Sequence, residues 1–148
     1  AAAVSVPVML SGLSLVPLVR AMHGGNPVGV LTAWAEQLGP GMLAAAGVSF
    51  DEVRIAGLEG CPAFAGAILC PKEEQPQVLD ETAIRAAVVA KARALCAATP
   101  EISALVLECG NLPPYAAAIE AATGRRVYSV LDGARFIAAR SFPGSTGW

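Results

Sequence analysis

Short apolar runs alternate along the chain with longer segments in which apolar residues recur at every third or fourth position. The short apolar runs indicate buried strands, and the recurrence at every third or fourth position in the longer segments indicates helices. The predicted strands cover residues 6–10, Val28–Thr32, part of residues 51–60, residues 102–109 and residues 125–130. Because strands that are apolar on both faces are typical of parallel sheets with helices on either side, the sequence predicts an α/β fold of three layers.

The predicted helices are bounded by capping residues, prolines and glycines. The longest follows Asp80, an N-cap residue, and runs to about Ala98 with its apolar residues at helical spacing. Gly47 is expected to end a broken helix in the left-handed conformation, and Gly124 to stop another. The other predicted helices cover residues 11–22, 61–69 and 131–140. One domain is expected over residues 1–140, followed by a tail over residues 141–148.

Composition narrows the classes of function. Of the 148 residues, 55% are hydrophobic and 15% are charged, and the net charge is −2. The lack of a basic run argues against a nucleic-acid partner. No unbroken apolar stretch reaches the roughly 18 residues that a membrane span needs. The high apolar content predicts an exposed apolar patch, so we expect a homo-oligomer.

The four cysteines do not have the pattern of a metal site, but they do indicate a cellular compartment. None of Cys61, Cys70, Cys96 and Cys109 belongs to a CxxC pair, and His23 is the single histidine, so the spacing of zinc ligands is absent. We interpret the four cysteines as reduced thiols and expect a cytoplasmic protein. Cys96 is expected to lie in the core, and Cys61 and Cys70 are expected to pack or to be partly exposed.

Cys109 stands out because it lies where a predicted strand stops, between Glu108 and Gly110. Asn111 is expected to cap the helix that follows. Free N–H groups and the positive end of that helix favour a thiolate, and Gly110 allows a substrate to approach the backbone closely. The alternative is a structural cysteine at an ordinary corner between strand and helix. The residues alone leave both interpretations open.

Thr32 ends another predicted strand. Ligands of parallel sheets bind outside the carboxyl ends of the strands, so its hydroxyl is a candidate to bind a substrate carboxylate. The alternative is that Thr32 caps the helix that follows.

The stretch VLECGNLPPYAAAIEAATGRRVY resembles the second-cysteine motif of the aspartate/glutamate racemase superfamily. VGVLTAW and AAAGV with VRIAGLEG are similar to further segments of that group. The resemblance implies one lobe of a two-lobed, cofactor-independent enzyme. Cys109 would then exchange the α-proton of a small carboxylate or amino acid, Thr32 would bind the carboxylate, and the backbone of Gly110 and Asn111 would hold the substrate.

The sequence also departs from that superfamily. Nothing corresponds to the first catalytic cysteine, which implies that most of the first lobe is absent and that the chain alone does not racemise aspartate or glutamate. Gly110 replaces the usual threonine, as in the related arylmalonate decarboxylases, which use one cysteine. The resulting prediction is an isomerase of the amino-acid racemase type. The alternatives are a single-cysteine decarboxylase and a non-catalytic protein that binds carboxylates or a partner.

Overall fold

The computed structural model describes residues 8–141, and four parallel strands form a single sheet in this part of the chain. The order across the sheet is β2-β1-β3-β4. The strands are β1 (Val28–Thr32), β2 (Val53–Gly57), β3 (Ala104–Leu107) and β4 (Arg126–Ser129). The bounds of β1 agree with the prediction, and the parallel sheet confirms the predicted α/β fold.

Helices cover both faces of the sheet. They are α1 (Val16–Met22), α2 (Pro40–Ala45), α3 (Pro62–Phe64), α4 (Glu81–Ala98), α5 (Ala116–Thr123) and α6 (Val130–Ser141). The Asp80 side chain accepts a hydrogen bond from the N–H of Ala83 and caps α4, as predicted. Gly124 ends α5 at a φ of 66°, a conformation that glycine adopts without steric cost. No helix within residues 8–141 is long and apolar enough to cross a bilayer.

Alternation along the strands divides the core into two layers. Leu31, Leu105 and Leu107 point to one face, which α4 and α5 cover, and this side is called the α4 face below. Val30 and Val106 point to the other face, which α1 and α2 cover, and this side is called the α1 face. Side chains at successive positions beyond a strand end are therefore expected to leave on opposite faces.

The predicted first strand is wrong for residues 8–10, which belong to no strand, while residues 6 and 7 lie outside the described part. The Ser11 side chain accepts a hydrogen bond from the N–H of Leu13 and begins a 3-10 turn over Gly12–Leu15. Gly12 lies against the carbonyl oxygen of Leu107, where a Cβ would collide. The turn therefore passes over the carboxyl end of β3, whereas Val8 and Leu10 of the preceding apolar run are exposed. The predicted tail falls almost wholly on residues 142–148, outside the described residues.

Candidate functional site

The candidate site lies at the carboxyl edge of the sheet, between β1 and β3. The chain passes from β1 outward to β2 on one side, and from β3 outward to β4 on the other. Open α/β sheets bind ligands at such a switch point, in the crevice beyond the strand ends. Thr32 ends β1, and Cys109 follows β3 by two residues. The fold thus brings the two predicted strand-end residues to one edge.

A hydrogen bond ties the two strand ends together on the α1 face. The hydroxyl of Thr32 donates to Oε2 of Glu108 at 2.9 Å, and the Thr32 side chain is buried. The N–H of Glu108 donates to the carbonyl oxygen of Leu31, also at 2.9 Å. The hydroxyl of Thr32 is thus engaged by a carboxylate of the chain itself. Its predicted contact with a substrate carboxylate stays a prediction.

The pairing of Thr32 with Glu108 was missed by reasoning from the sequence, although a signal for it exists. Leu31 pairs with Leu107 in the parallel register, so the next residue of each strand stands side by side on the same face. Finding the pair required knowing that β1 and β3 are neighbours.

Cys109 begins a tight turn that the N–H of Leu112 closes by donating to the Cys109 carbonyl oxygen at 3.1 Å. Its half-buried side chain packs against the α4-face core, opposite the Thr32–Glu108 pair. The side-chain amide of Asn111 lies 3.8 Å from the sulfur and donates to it. The prediction that Asn111 caps the following helix is wrong, because the turn carries the helix start to Leu112, which has no side-chain cap.

Gly110 and Asn111 are the two central residues of this turn. Among the residues that the structure describes, no backbone acceptor is bonded to either N–H group. Pro113 and Pro114 supply no N–H, so the free donors near the sulfur belong to the turn rather than to the helix. Gly110 is exposed, and a Cβ added to it would meet no atom within 4 Å. The turn therefore offers two donors and open space beside a thiol.

A cavity of about 260 Å³ opens beside this turn on the α4 face. Gly110 and Asn111 form one wall, and Phe64 and Ile68 form another, where the backbone makes a π-helical turn over Ala65–Leu69. The remaining walls come from the first turns of α4 and from the 3-10 turn before α5.

None of the other three thiols follows β1 or β3, the two strands that meet at the switch point. Cys61 precedes α3, and Cys70 donates its S–H to the carbonyl oxygen of Gly66 at 2.9 Å. Burial raises the pKa of Cys96 in α4, and the nearby Arg125 offsets part of that effect. All four cysteines are free thiols. Residues 8–141 hold no group of three or more His, Cys, Asp or Glu side chains placed to bind a metal.

Fold and site together define an α/β protein with a free thiol at the switch point of a parallel sheet. No family model matches the chain, and no solved structure matches it. A curated relative, the dimethylsulfoniopropionate lyase of Durusdinium sp. clade D, is 32% identical over 136 residues. The match covers 89% of this chain and 44% of the relative, so the chain spans less than half of the relative's length.

This relative contradicts the predicted racemase, because it is named a lyase and not an isomerase. Neither alternative, the decarboxylase or the non-catalytic carboxylate-binding protein, is supported. The prediction failed because a thiol beside donors for a carboxylate specifies only removal of a proton. Whether the carbanion is reprotonated or expels a leaving group depends on the substrate, which the motif does not encode. The relative does not test the resemblance to the racemase superfamily, which stays a prediction.

Proposed function

We propose that the chain carries the proton-abstracting edge of a lyase that acts on dimethylsulfoniopropionate or a closely similar sulfonium carboxylate. The observation that carries this proposal is the 32% identity to the dimethylsulfoniopropionate lyase over 89% of the chain. The position of Cys109 at the switch point supports it, since ligands bind there in open α/β sheets.

Elimination from this substrate needs a single base. The Cys109 thiolate takes the proton from the carbon next to the carboxylate, the carbon–sulfur bond breaks, and dimethyl sulfide leaves with the bonding electrons. Acrylate remains, and the thiol holds the proton. Because dimethyl sulfide leaves as a neutral molecule, no acid has to protonate it. A racemase, in contrast, needs acid/base groups on both faces of the substrate.

The turn after Cys109 supplies the remaining roles. The N–H groups of Gly110 and Asn111 hold the substrate carboxylate and stabilise the charge that develops on it during proton removal. The side-chain amide of Asn111, 3.8 Å from the sulfur, donates to the thiolate and orients it. Thr32 and Glu108 fix the strand ends from the opposite face, so that the turn keeps its position.

In the direct test, the chain is incubated with dimethylsulfoniopropionate. The dimethyl sulfide released into the headspace is measured by gas chromatography. Removing the base should lower the rate of the Cys109→Ser variant by about a hundred- to ten-thousandfold. Cys96→Ser is the matched control, because Cys96 is a free thiol within α4, away from the strand ends, and should keep the wild-type rate. Equal rates in the two variants would exclude Cys109 as the base.

Alkylation tests binding without turnover. Dimethylsulfoniopropionate should slow the reaction of iodoacetamide with Cys109 and leave Cys70 unaffected, as read by mass spectrometry. Absence of both dimethyl sulfide release and protection would refute the proposal.

Two further expectations belong to this proposal. We propose a cytoplasmic location, because all four cysteines are free thiols. A homo-oligomer also stays a prediction, and large apolar side chains such as Leu10, Val78 and Phe136 are exposed. Light scattering on the purified chain tests the second expectation, and a monomer at all concentrations would contradict it.

A further inference from the structure

The cavity beside the Cys109 turn contains two charged residues, and both come from the start of α4. Glu81 and Arg85 line it and are exposed. They are four residues apart, so they share one face of the helix, with Cβ atoms about 5–6 Å apart. Within residues 8–141 neither side chain takes part in an ion pair. One positive and one negative group are thus available at the same cavity.

The cavity adjoins the turn that begins at Cys109, and Cys109 itself is not one of its lining residues. Gly110 and Asn111 belong both to the cavity wall and to the turn that begins at Cys109. Cys109 packs on the same face of the sheet. The space over Gly110 is open, so a ligand in the cavity can approach the backbone of the turn at this residue.

A second observation points to a ligand at this place. The opposite wall contains the π-helical turn over Ala65–Leu69, and such turns occur frequently at functional sites. The cavity holds about 260 Å³, below the range of pockets for drug-sized ligands. This volume suits a molecule of fewer than about ten heavy atoms.

We propose that this cavity is the substrate-binding subsite, in which Arg85 binds the carboxylate and Glu81 faces a cationic group on the same small molecule. The inference rests on the proposed function, whose substrate carries a carboxylate at one end and a sulfonium at the other. Arginine binds carboxylates through two parallel hydrogen bonds, which fixes the orientation as well as adding affinity. Lining the cavity with both charges favours a zwitterion over a simple anion or cation.

The experiment is a titration of the ¹⁵N-labelled chain, followed by NMR, with three probes: dimethylsulfoniopropionate, propionate and trimethylsulfonium. The amide signals of Gly110 and Asn111 should shift with the first two. Arg85→Gln should raise the Kd of dimethylsulfoniopropionate and of propionate about ten- to a hundredfold, the size of a lost charge-assisted hydrogen bond. Glu81→Gln should weaken the binding of dimethylsulfoniopropionate, whereas propionate should bind at least as tightly as to the wild type, because a negative charge near Arg85 has been removed.

Arg93→Gln is the matched control, since it makes the same change of charge on the same helix and lies outside the cavity. It should bind all probes as the wild type does. The inference is overturned if Arg85→Gln binds dimethylsulfoniopropionate as tightly as Arg93→Gln, or if the chain binds neither carboxylate probe.

The two proposals fail in different ways. If the lyase function is wrong, dimethyl sulfide is not released, whereas propionate still binds in a manner that depends on Arg85. If the subsite is wrong and the function is right, dimethyl sulfide is released and the KM of Arg85→Gln equals that of Arg93→Gln.

Discussion

The hydrogen bond between Thr32 and Glu108 provides the sharpest test of how the strand ends are held. Thr32→Val keeps the shape of the side chain and removes its hydroxyl. Hydrogen bonds to charged groups contribute about 1.5–3 kcal/mol. Because Glu108 is only half-buried, water replaces part of the lost contact. We therefore expect Thr32→Val to lower the free energy of unfolding by about 1–2 kcal/mol.

A double-mutant cycle isolates this contact from the other effects of each substitution. The single variants Thr32→Val and Glu108→Ala and the double variant are unfolded in urea and followed by circular dichroism. With a urea slope of about 2 kcal/mol/M, Thr32→Val should move the midpoint by about 0.5–1 M. The coupling energy between Thr32 and Glu108 should be about 1–2 kcal/mol.

The control cycle pairs Glu108→Ala with Thr123→Val. The hydroxyl of Thr123 is also hydrogen-bonded, at 2.8 Å to the carbonyl oxygen of Ile119, and has no contact with Glu108. These two substitutions should add to within about 0.5 kcal/mol. A Thr32–Glu108 coupling no larger than that of the control cycle would refute the contact.

Three further predictions concern glycines and the partly buried thiol of Cys96. Gly12→Ala should lower the free energy of unfolding in urea by about 1–3 kcal/mol, because its Cβ would meet the Leu107 carbonyl oxygen. Gly110→Ala is the control: its Cβ has open space, so the change should stay within about 0.5 kcal/mol, and equal losses would contradict the close approach at Gly12. Gly124→Ala should cost about 1–2 kcal/mol, since a side chain at a φ of 66° is strained, and an unchanged urea midpoint would argue against the left-handed cap. Burial raises the pKa of Cys96 above the free value of 9.0, so the folded chain keeps this proton longer than the unfolded chain. The resulting stability is present below pH 9.0 and is lost as the pH rises through the folded pKa. The free energy of unfolding in urea should therefore fall less between pH 8 and pH 10 in Cys96→Ala than in the wild type, and an equal fall in both would refute the assignment.

The sequence by itself determined the class of fold and much of the local structure. The apolar run of β1, the Asp80 cap of α4 and the Gly124 stop of α5 follow from the chemistry of a few neighbouring residues, which is why the structure agrees with them. The same local signals placed Cys109 at the end of a strand. They failed at residues 8–10, where a short apolar run leads into the 3-10 turn over Gly12–Leu15 instead of joining the sheet.

Only the tertiary structure decided which strand ends meet. Thr32 and Glu108 are 76 residues apart, and the local sequence around each of them does not indicate that β1 and β3 are neighbours. The cavity is equally non-local, because Arg85 reaches it from α4 and Gly110 from the turn after β3. Periodicity reports which face of an element is buried, whereas strand order follows from packing over long sequence separations. For this reason the thiol could be found from the sequence, while the charged residues that line the neighbouring cavity could not.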